Sequence, residues 1–241
     1  MSSYVDGIEK ALAASLSFST VLLILVLVKW RRTKARLQEA EGQKQILEVE
    51  GHRMFEFLHM LGIALEQDHS ASKLHREIVD GVNDVVSARG GALYLLDESR
   101  RFLVPKYISE KCPLLIGLPV EVYEKAEGDV RALKSHVQLS KVPADEGMLG
   151  AVLSSGVSQK VEDVKYHESF NDAFVHYYGD VTAMLFPLSY GGRDLGVLAA
   201  AKKIADGGFS ENEYELFRSA SEQAAFALGN ATIHQEAGEK R

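Results

Sequence analysis

The residues best suited to chemistry lie in one stretch of the sequence, residues 163–178, where aromatic rings are interspersed with hydrogen-bonding groups. Aromatic faces combined with a few donors and acceptors are what a small-molecule site needs. The candidate ligand-binding residues are Asp163, Tyr166, His167, Phe170, Asn171, Phe174 and Tyr178, together with Met184 from the next segment. His167 could also sense pH or ligate haem. The alternative is structural: Phe170 and Phe174 anchor a helix to a sheet while the polar groups face water.

The other reactive side chains do not form a catalytic arrangement. The sequence contains no nucleophile elbow, phosphate-binding glycine loop or zinc signature. Its single cysteine, Cys112, excludes an internal disulfide framework and a site built on several thiolates. Five further histidines lack the spacing of ligands and are expected to be solvated or to cap helices, namely His52, His59, His69, His75 and His136. We therefore expect no metal site, and we expect that this chain is not itself an enzyme.

The composition is that of a globular protein with an acidic body. The chain has 241 residues, of which 46% are hydrophobic and 25% are charged, and this excludes an intrinsically disordered chain. Residues 37–241 carry a net charge of −11 without a long basic stripe. Such a body binds nucleic acid poorly, so no nucleic-acid partner is expected. Positive charge is concentrated in residues 29–36, which hold five basic residues and no acidic one.

A membrane anchor is predicted just before that basic cluster. Ala11–Val28 is an uncharged run of 18 residues, which as a helix spans about 27 Å of the roughly 30 Å hydrocarbon core. A cleaved signal peptide and a buried soluble helix are the alternatives, but no basic segment precedes the run and no A-x-A cleavage site follows it. The positive-inside rule then places the N-terminus outside and residues 31–241 in the cytoplasm of a single-pass protein of the inner membrane.

The connector at residues 31–54 has two interpretations. A heptad can be written from Leu37, which favours a short parallel coiled coil that continues the membrane helix. Gly42 and Gly51 favour a frayed, solvated helix instead, because each costs about 1 kcal/mol of helix propensity relative to alanine. The d positions of the heptad are Ala40, Leu47, Met54 and Leu61, and the a positions are Leu37, Lys44, Gly51, Leu58 and Leu65.

Hydrophobic patterns along the body predict an α+β domain with an antiparallel sheet and flanking helices. Strands are predicted at residues 92–97, 102–108, 157–164, 181–190 and 194–203, and helices at 72–86, from 119, at 147–153 and from 210. Gly128 can split the helix that begins at Pro119. Residues 166–179 are expected to form a loop.

Glycine, proline and capping residues indicate where these elements turn, bulge or begin. Gly191-Gly192 predicts a tight hairpin turn. Pro105 predicts an edge strand or a bulge, and Pro187 predicts a bulge within an otherwise central strand. Ser210 and Glu213 form a capping box at the start of a long helix. The apolar stripe of that helix consists of Phe217, Ala220, Ala224, Ala227, Leu228 and Ala231.

The order and spacing of four segments resemble a GAF domain, the small-molecule sensory module of signalling proteins. The segments are GGALYLLDESRRFLVPKYI, EGMLGAVLSSGVSQKVEDV, AMLFPLSYGGRDLGVLAAAKK and FSENEYELFRSASEQAAFALGNA. The resemblance covers residues 55–232 and implies a sheet of five or six antiparallel strands. It also implies dimer-forming helices on one sheet face and a loop-covered ligand site on the other. Residues 110–145 are longer and less typical than the family's average, and the resemblance assigns them no role.

The resemblance does not select a known cofactor. Cyclic-nucleotide-binding members carry an Asn-Lys pair followed by Phe-x-x-x-Asp-Glu, which this sequence matches only in part at Lys202, Lys203, Phe209, Glu213 and Tyr214. Bilin-binding members attach the pigment through a cysteine followed by histidine, whereas Cys112 is followed by Pro113. A relative that reduces free methionine sulfoxide needs several cysteines. We therefore expect neither cyclic nucleotide, bilin nor haem, and the ligand stays unknown.

The resulting hypothesis is a membrane-anchored cytoplasmic sensor or regulator. Its GAF-like domain binds a small molecule or a partner, forms a homodimer and controls an output enzyme or signalling protein. The alternatives are the sensory half of a longer serine phosphatase, kinase or cyclase, and a dimerisation and tethering module without a ligand. The expected organisation is a tail at 1–10, a transmembrane helix at 11–30, a connector at 31–54, the GAF-like domain at 55–232 and a helix end at 233–241. That last segment resembles the start of the connector helix that leads into bacterial metal-dependent serine phosphatases.

Overall fold

The chain is described by a computed structural model for residues 29–31, 34, 41–42, 44–66, 70–138 and 140–239, with side chains to residue 232. It divides into two units, Met1–His52 and Arg53–Arg241. The described residues of the first unit are helical, and the large apolar side chains of Ile46, Leu47 and Val49 are exposed. Among the described residues, no helix is long and apolar enough to cross a membrane. The predicted tail at 1–10 and the predicted span Ala11–Val28 lie outside the described residues.

A six-stranded antiparallel sheet forms the centre of the second unit. Its strands are β1 (Gly90–Leu96), β2 (Phe102–Ile108), β3 (Val142–Pro143), β4 (Gln159–Val161), β5 (Val181–Tyr190) and β6 (Arg193–Lys203). Their order across the sheet is β3-β2-β1-β6-β5-β4, and every neighbouring pair is antiparallel. The predicted antiparallel sheet of an α+β domain is confirmed.

The β5–β6 hairpin follows the sequence prediction closely. Gly191-Gly192 forms its two-residue turn with positive φ at both positions, a conformation that glycine adopts without steric cost. The bulge predicted at Pro187 is not found there, because the extra residue of this hairpin is Leu195 on the partner strand β6. Pro187 stays paired with Val197, and the register shifts between Leu188 and Ser189.

The second predicted irregularity, at Pro105, is a bulge between β1 and β2. Tyr107 pairs with Leu93, whereas Pro105 pairs with Tyr94, so Lys106 is the extra residue. β3 pairs with the other side of β2 only at Phe102 and Leu103, so no described strand pairs with that side at Pro105.

The helices of the second unit form two layers, one on each face of the sheet. They are α1 (residues 53–66), α2 (Ala71–Val85), α3 (Val120–Ala126), α4 (Val130–Gln138), α5 (Gly147–Ser155), α6 (Asp172–Tyr178) and α7 (Glu211–Glu239). One core contains α1, α2 and α7, around Phe57, Ile78 and Phe217. The other core contains α3 to α6 and the opposite sheet face, around Tyr94 and Phe174.

The start of α7 confirms the predicted capping box. The Glu213 carboxylate accepts a hydrogen bond from the backbone N–H of Ser210 at 2.8 Å, and the Ser210 hydroxyl accepts one from the Glu213 N–H at 3.1 Å. These bonds satisfy two donors that a helix N-terminus would otherwise leave unpaired. The predicted apolar stripe is also buried, apart from the half-buried Ala231.

Helix α1 carries apolar side chains around most of its circumference. Phe57 and Leu61 are buried in the core that α1 shares with α2 and α7, while Phe55, Leu58 and Leu65 are exposed. The predicted heptad therefore does not describe a single seam, because its d position Leu61 faces the domain core and its a positions Leu58 and Leu65 face solvent. Leu37 and Ala40, where the heptad begins, lie outside the described residues.

Three sequence predictions need correction. The strand predicted at 157–164 is paired only at Gln159–Val161. Residues 166–179 are not a plain loop, because they contain α6. The helix predicted from Pro119 is split as expected into α3 and α4, but Pro119 is its N-cap residue and β3 follows in the stretch to which no role was assigned.

Candidate functional site

The sheet face covered by α3 to α6 encloses three tyrosine hydroxyls. They belong to Tyr94 on β1, Tyr123 on α3 and Tyr178 on α6, and all three oxygens are inaccessible to solvent. Among the described residues, Tyr94 and Tyr123 have no hydrogen-bond partner for this group. The Tyr178 hydroxyl lies beside the backbone of Leu114 but forms no hydrogen bond of standard geometry. A buried polar group left unpaired costs about 1–3 kcal/mol. This interior therefore contains polar groups whose hydrogen-bonding capacity is unused.

Burial dominates the protonation of these groups. It raises the pKa of Tyr123 to about 12, and it raises the pKa of Tyr94 and of Tyr178 far above the usual value for tyrosine. Cys112 lies close enough to both Tyr94 and Tyr178 to raise the pKa values of these two tyrosines further by electrostatic interaction. The thiol of Cys112 is itself buried, and its pKa is raised to about 12. All four groups are therefore neutral near pH 7 and can donate hydrogen bonds.

Helix α6 is held in place by a capping residue that also reaches the opposite wall. The Asn171 amide oxygen accepts a hydrogen bond from the Phe174 N–H at 3.2 Å, and its amide nitrogen donates to the Leu118 carbonyl at 3.0 Å. One asparagine thus caps the helix and fixes it to residues 114–119. The aromatic rings of Phe170, Phe174 and Tyr178 follow one another at centroid distances of 4.6 and 5.1 Å.

A second tyrosine of α6 closes the wall toward α3. The Tyr177 hydroxyl donates to the Tyr123 carbonyl at 2.8 Å and accepts from the Gly128 N–H at 2.7 Å. The ring of Tyr177 also contacts the Tyr123 ring, with a centroid distance of 5.3 Å. This tyrosine hydroxyl is fully engaged, in contrast to those of Tyr94 and Tyr123.

Two clefts open toward this face. The smaller, of about 180 Å³, lies between residues 110–113 and α6, and the ends of β5 and β6 also line it. Its lining includes Cys112, Tyr178, Lys111 and Lys203. The larger, of about 430 Å³, lies between residues 115–119, β3 and the start of α5. Both clefts are lined in part by residues 110–145, the stretch to which the resemblance assigned no role.

The structure brings only some of the predicted ligand-binding residues together. Phe170, Phe174 and Tyr178 pack in the core of this face, and Asn171 caps α6. Met184 is in the other core, against α1, α2 and α7, because it alternates with Ala183 and Leu185 along β5. It is therefore separated from the other candidates by the sheet.

The remaining candidates have local roles. Asp163 caps a short 3-10 helix through the Lys165 N–H at 3.2 Å and pairs with the Lys165 ammonium at 3.0 Å. Tyr166 is 82% exposed. The Nδ1 atom of His167 accepts a hydrogen bond from the Ser169 N–H at 3.3 Å. Phe170 and Phe174 pack as the structural alternative expects, whereas Tyr178 lies at a cleft.

Three of the residues compared with the cyclic-nucleotide motif, Lys202, Phe209 and Glu213, form a brace between β6 and α7. The Lys202 ammonium lies 2.9 Å from the Glu213 carboxylate and 4.5 Å from the centroid of the Phe209 ring. Burial raises the pKa of Glu213, but hydrogen bonds from Ser210 and Lys202 outweigh it and hold the pKa below the usual range. These residues therefore have a structural role that needs no ligand.

Sequence reasoning missed Tyr94 and Tyr123. Tyr94 lies in the run ALYLL, where its hydroxyl is the one side-chain polar group, and this was the signal that could have been used. Tyr123 lies in the stretch 110–145, whose helices are short and whose place on the sheet depends on contacts distant in sequence. His75 was expected to be solvated or a cap, but it is half-buried on α2.

The arrangement defines a class of α+β sensory domain, with long helices on one face of an antiparallel sheet and short helices around a polar interior on the other. The chain belongs to the GAF domain family, whose family model matches residues 68–229. This confirms the resemblance found in the sequence and makes the second unit a GAF sensory domain, related to domains of signalling proteins. No curated protein matches the chain.

Solved GAF domains share the fold at low sequence identity. The GAF domain of a phosphoenolpyruvate-protein phosphotransferase from Coxiella burnetii is 14% identical, with a TM-score of 0.55 over 77% of this chain and 98% of that one. The nlh2 GAF domain of A. aeolicus in an inactive state is 13% identical, with a TM-score of 0.52 over 76% and 99%. A GAF domain/HD domain protein from Geobacter sulfurreducens is 15% identical, with a TM-score of 0.51 over 67% and 94%.

Proposed function

We propose that this chain is a sensor whose GAF domain binds a small molecule on the sheet face covered by α3 to α6. The observation that carries the proposal is the set of buried hydroxyls of Tyr94, Tyr123 and Tyr178. Buried polar groups in folded proteins nearly always have partners. A small molecule that offers acceptors to these hydroxyls would offset the cost of burying them, and the smaller cleft, which Tyr178 lines, is its proposed route in.

Ligand binding would alter the position of α7 through the brace between β6 and α7. Lys202 lines the smaller cleft and pairs with Glu213 in the first turn of α7. A ligand that moves the end of β6 therefore changes the position of the helix that leads to the C-terminus. In this proposal the GAF domain regulates an output protein and does not itself catalyse a reaction.

Homodimerisation is proposed through the outer side of α1. Phe55, Leu58, Ile63 and Leu65 of this helix are exposed, while Phe57 and Leu61 are buried. A helix that is apolar around most of its circumference is normally covered on more than one side. A second copy of α1 related by a two-fold axis would supply that cover.

Anchoring at the membrane is proposed from the sequence alone. The uncharged run Ala11–Val28 and the basic residues at 29–36 favour an N-terminus outside the inner membrane and the GAF domain in the cytoplasm. The proposed organisation is the one expected above, with a connector at 31–54 and a GAF domain at 55–232.

The proposal is tested by native mass spectrometry of the full chain purified without added ligand. We expect a mass above that of the sequence, and we expect the added mass to be lost in Tyr94→Phe and Tyr178→Phe. Tyr166→Phe is the matched control, because that side chain is exposed and should keep the added mass. A clean protein mass in the wild type, with no gain from a metabolite extract, would contradict small-molecule binding.

A further inference from the structure

The smaller cleft is lined by an unusual concentration of positive charge for an acidic protein. Four cationic side chains contribute to its lining, Arg89, Lys111, Lys202 and Lys203, against one carboxylate, that of Glu110. The chain as a whole has a net charge of −7. These cations come together because the start of β1, the end of β6 and the segment after β2 meet at the same end of the sheet.

Two of the four cations are neutralised and two are not. Arg89 pairs with Asp206 at 3.3 Å, and Lys202 pairs with Glu213. Lys111 and Lys203 form no ion pair with any residue that the structure describes. Their charge is therefore available to the cleft.

A neighbouring open depression extends the same charged surface outward. It is lined by Arg89, Lys111 and Lys202 together with Asp206 and Glu213, the partners of two of these cations. Charge of one sign around a concave site attracts ligands of the opposite charge.

The cleft also has apolar walls. Pro113, Val130 and Val181 belong to its lining together with Tyr178, whose hydroxyl is buried. The volume of about 180 Å³ slightly exceeds the roughly 150 Å³ cavity that holds benzene. The cleft therefore suits a ligand that combines a small ring or short chain with a negatively charged group.

We infer that the smaller cleft selects a small organic anion, whose carboxylate or phosphate group binds Lys111 and Lys203 and whose apolar part contacts Val130, Val181 and Tyr178. This inference rests on the proposed function, because it names the class of ligand that the sensory face takes. It assigns the ligand contacts to residues outside the stretch 163–178, apart from Tyr178.

The test is isothermal titration calorimetry of the full chain at low ionic strength with three probes. Benzoate supplies a carboxylate on a ring, benzamide is its neutral counterpart, and inorganic phosphate supplies the anion alone. We expect benzoate or phosphate to bind and benzamide to bind at least about tenfold more weakly than benzoate, because a hydrogen-bonded charge is worth more than a neutral hydrogen bond. The double variant that combines Lys111→Gln with Lys203→Gln should bind the anion about tenfold more weakly, or weaker still.

Lys125→Gln is the matched control, because Lys125 is an exposed lysine of α3 outside the cleft lining. It should leave the affinity for the anion unchanged. Phosphate binding without benzoate binding would support the phosphate form of the inference, and benzoate binding without phosphate binding would support the carboxylate form.

Two outcomes would overturn the inference. If benzamide binds as tightly as benzoate and the lysine variants do not matter, the cleft takes neutral molecules, and small-molecule sensing survives without anion selectivity. If neither anion binds the wild type, the smaller cleft does not select small anions and the inference is wrong. Small-molecule sensing is then judged separately by the retained mass and its loss in Tyr178→Phe.

Discussion

The ammonium of Lys202 lies 2.9 Å from the carboxylate of Glu213, and this ion pair joins the end of β6 to the first turn of α7. Lys202 is only 8% exposed, and the face of the Phe209 ring lies beneath its charge. The Glu213 carboxylate also accepts hydrogen bonds from the N–H and the hydroxyl of Ser210. One carboxylate therefore fixes the helix start, and the same carboxylate links it to the wall of the smaller cleft.

Removing Lys202 should destabilise the domain more than an average surface change. Lys202→Met leaves the partly buried Glu213 carboxylate without its cation, and we expect a loss of about 1–3 kcal/mol in the free energy of unfolding. Urea denaturation measures the loss. Adding Glu213→Gln should restore part of it, because a glutamine still completes a capping box and carries no charge. If Glu213→Gln lowers the free energy of unfolding as much in the Lys202→Met background as it does alone, the two residues act independently and the prediction is wrong.

The stability of the domain should fall as the pH drops below neutrality because of His75. Burial, with a smaller contribution from Lys106, lowers the pKa of His75 from 6.5 to about 4. A lowered pKa in the folded state means that the unfolded state binds the proton first, so stability is lost between about pH 6.5 and pH 4. Urea denaturation at pH 7.5 and at pH 5 checks this expectation. His75→Gln should show a smaller difference between the two pH values than the wild type, and an equal difference would contradict it.

Removing an unpaired buried tyrosine hydroxyl and removing a hydrogen-bonded one should have different effects on the stability of the domain. Tyr94→Phe removes a buried hydroxyl that has no partner, so the unliganded domain should keep or gain stability. Tyr177→Phe removes a hydroxyl with two backbone partners and should cost about 1–2 kcal/mol. Thermal unfolding of both variants without ligand makes the comparison. A clear loss of stability in Tyr94→Phe would show that its hydroxyl is satisfied, which removes the main support for the ligand site.

A glycine of α7 should be intolerant of a single methyl group. A Cβ atom at Gly229 would overlap the ring of Tyr190, whose hydroxyl donates to the Asn230 side chain at 2.9 Å. Gly229→Ala should therefore cost about 1–3 kcal/mol through overpacking, although alanine favours helix. Gly62→Ala on α1 is the matched control, because a Cβ there meets no atom within 4 Å. It should gain up to about 1 kcal/mol, and equal effects at the two sites would contradict the packing at Tyr190.

The outer side of α1 should determine the oligomeric state. Phe55 is 66% exposed, so Phe55→Asp should convert a dimer to a monomer without lowering the stability of the fold. Sedimentation velocity of the full chain measures the change. Val157→Asp is the matched control, because Val157 is also exposed and belongs to the segment between α5 and β4 rather than to α1. A wild type that sediments as a monomer at high micromolar concentration would contradict the proposed dimer.

Most of the fold could be predicted where local signals are strong. Gly191-Gly192 and the alternating strands beside it define the β5–β6 hairpin, and Ser210 with Glu213 defines the start of α7. Helix α6 was missed because it is short and its aromatic side chains were interpreted as ligand contacts. The Asn171 N-cap, which was available in the sequence, would have identified it.

The candidate site could be predicted less well than the fold, because its residues converge from distant segments. Tyr94, Cys112, Tyr123 and Lys203 are separated by up to about a hundred residues, and no local pattern brings them to one end of the sheet. Met184 was assigned to the wrong face because β5 is apolar on both sides. The sequence therefore does not show which alternate set of β5 side chains faces α3 to α6 and which set faces α1, α2 and α7.

Cys112, the single cysteine of the chain, is buried, and its thiol has a pKa raised to about 12. Alkylation needs an accessible thiolate, so a maleimide can react only after the wall formed by residues 110–113 has opened. The native chain therefore contains a reporter of its own local opening, and no engineered label is required. The rate of alkylation measures how often the smaller cleft opens, and a molecule that occupies the cleft should slow that rate in proportion to its occupancy.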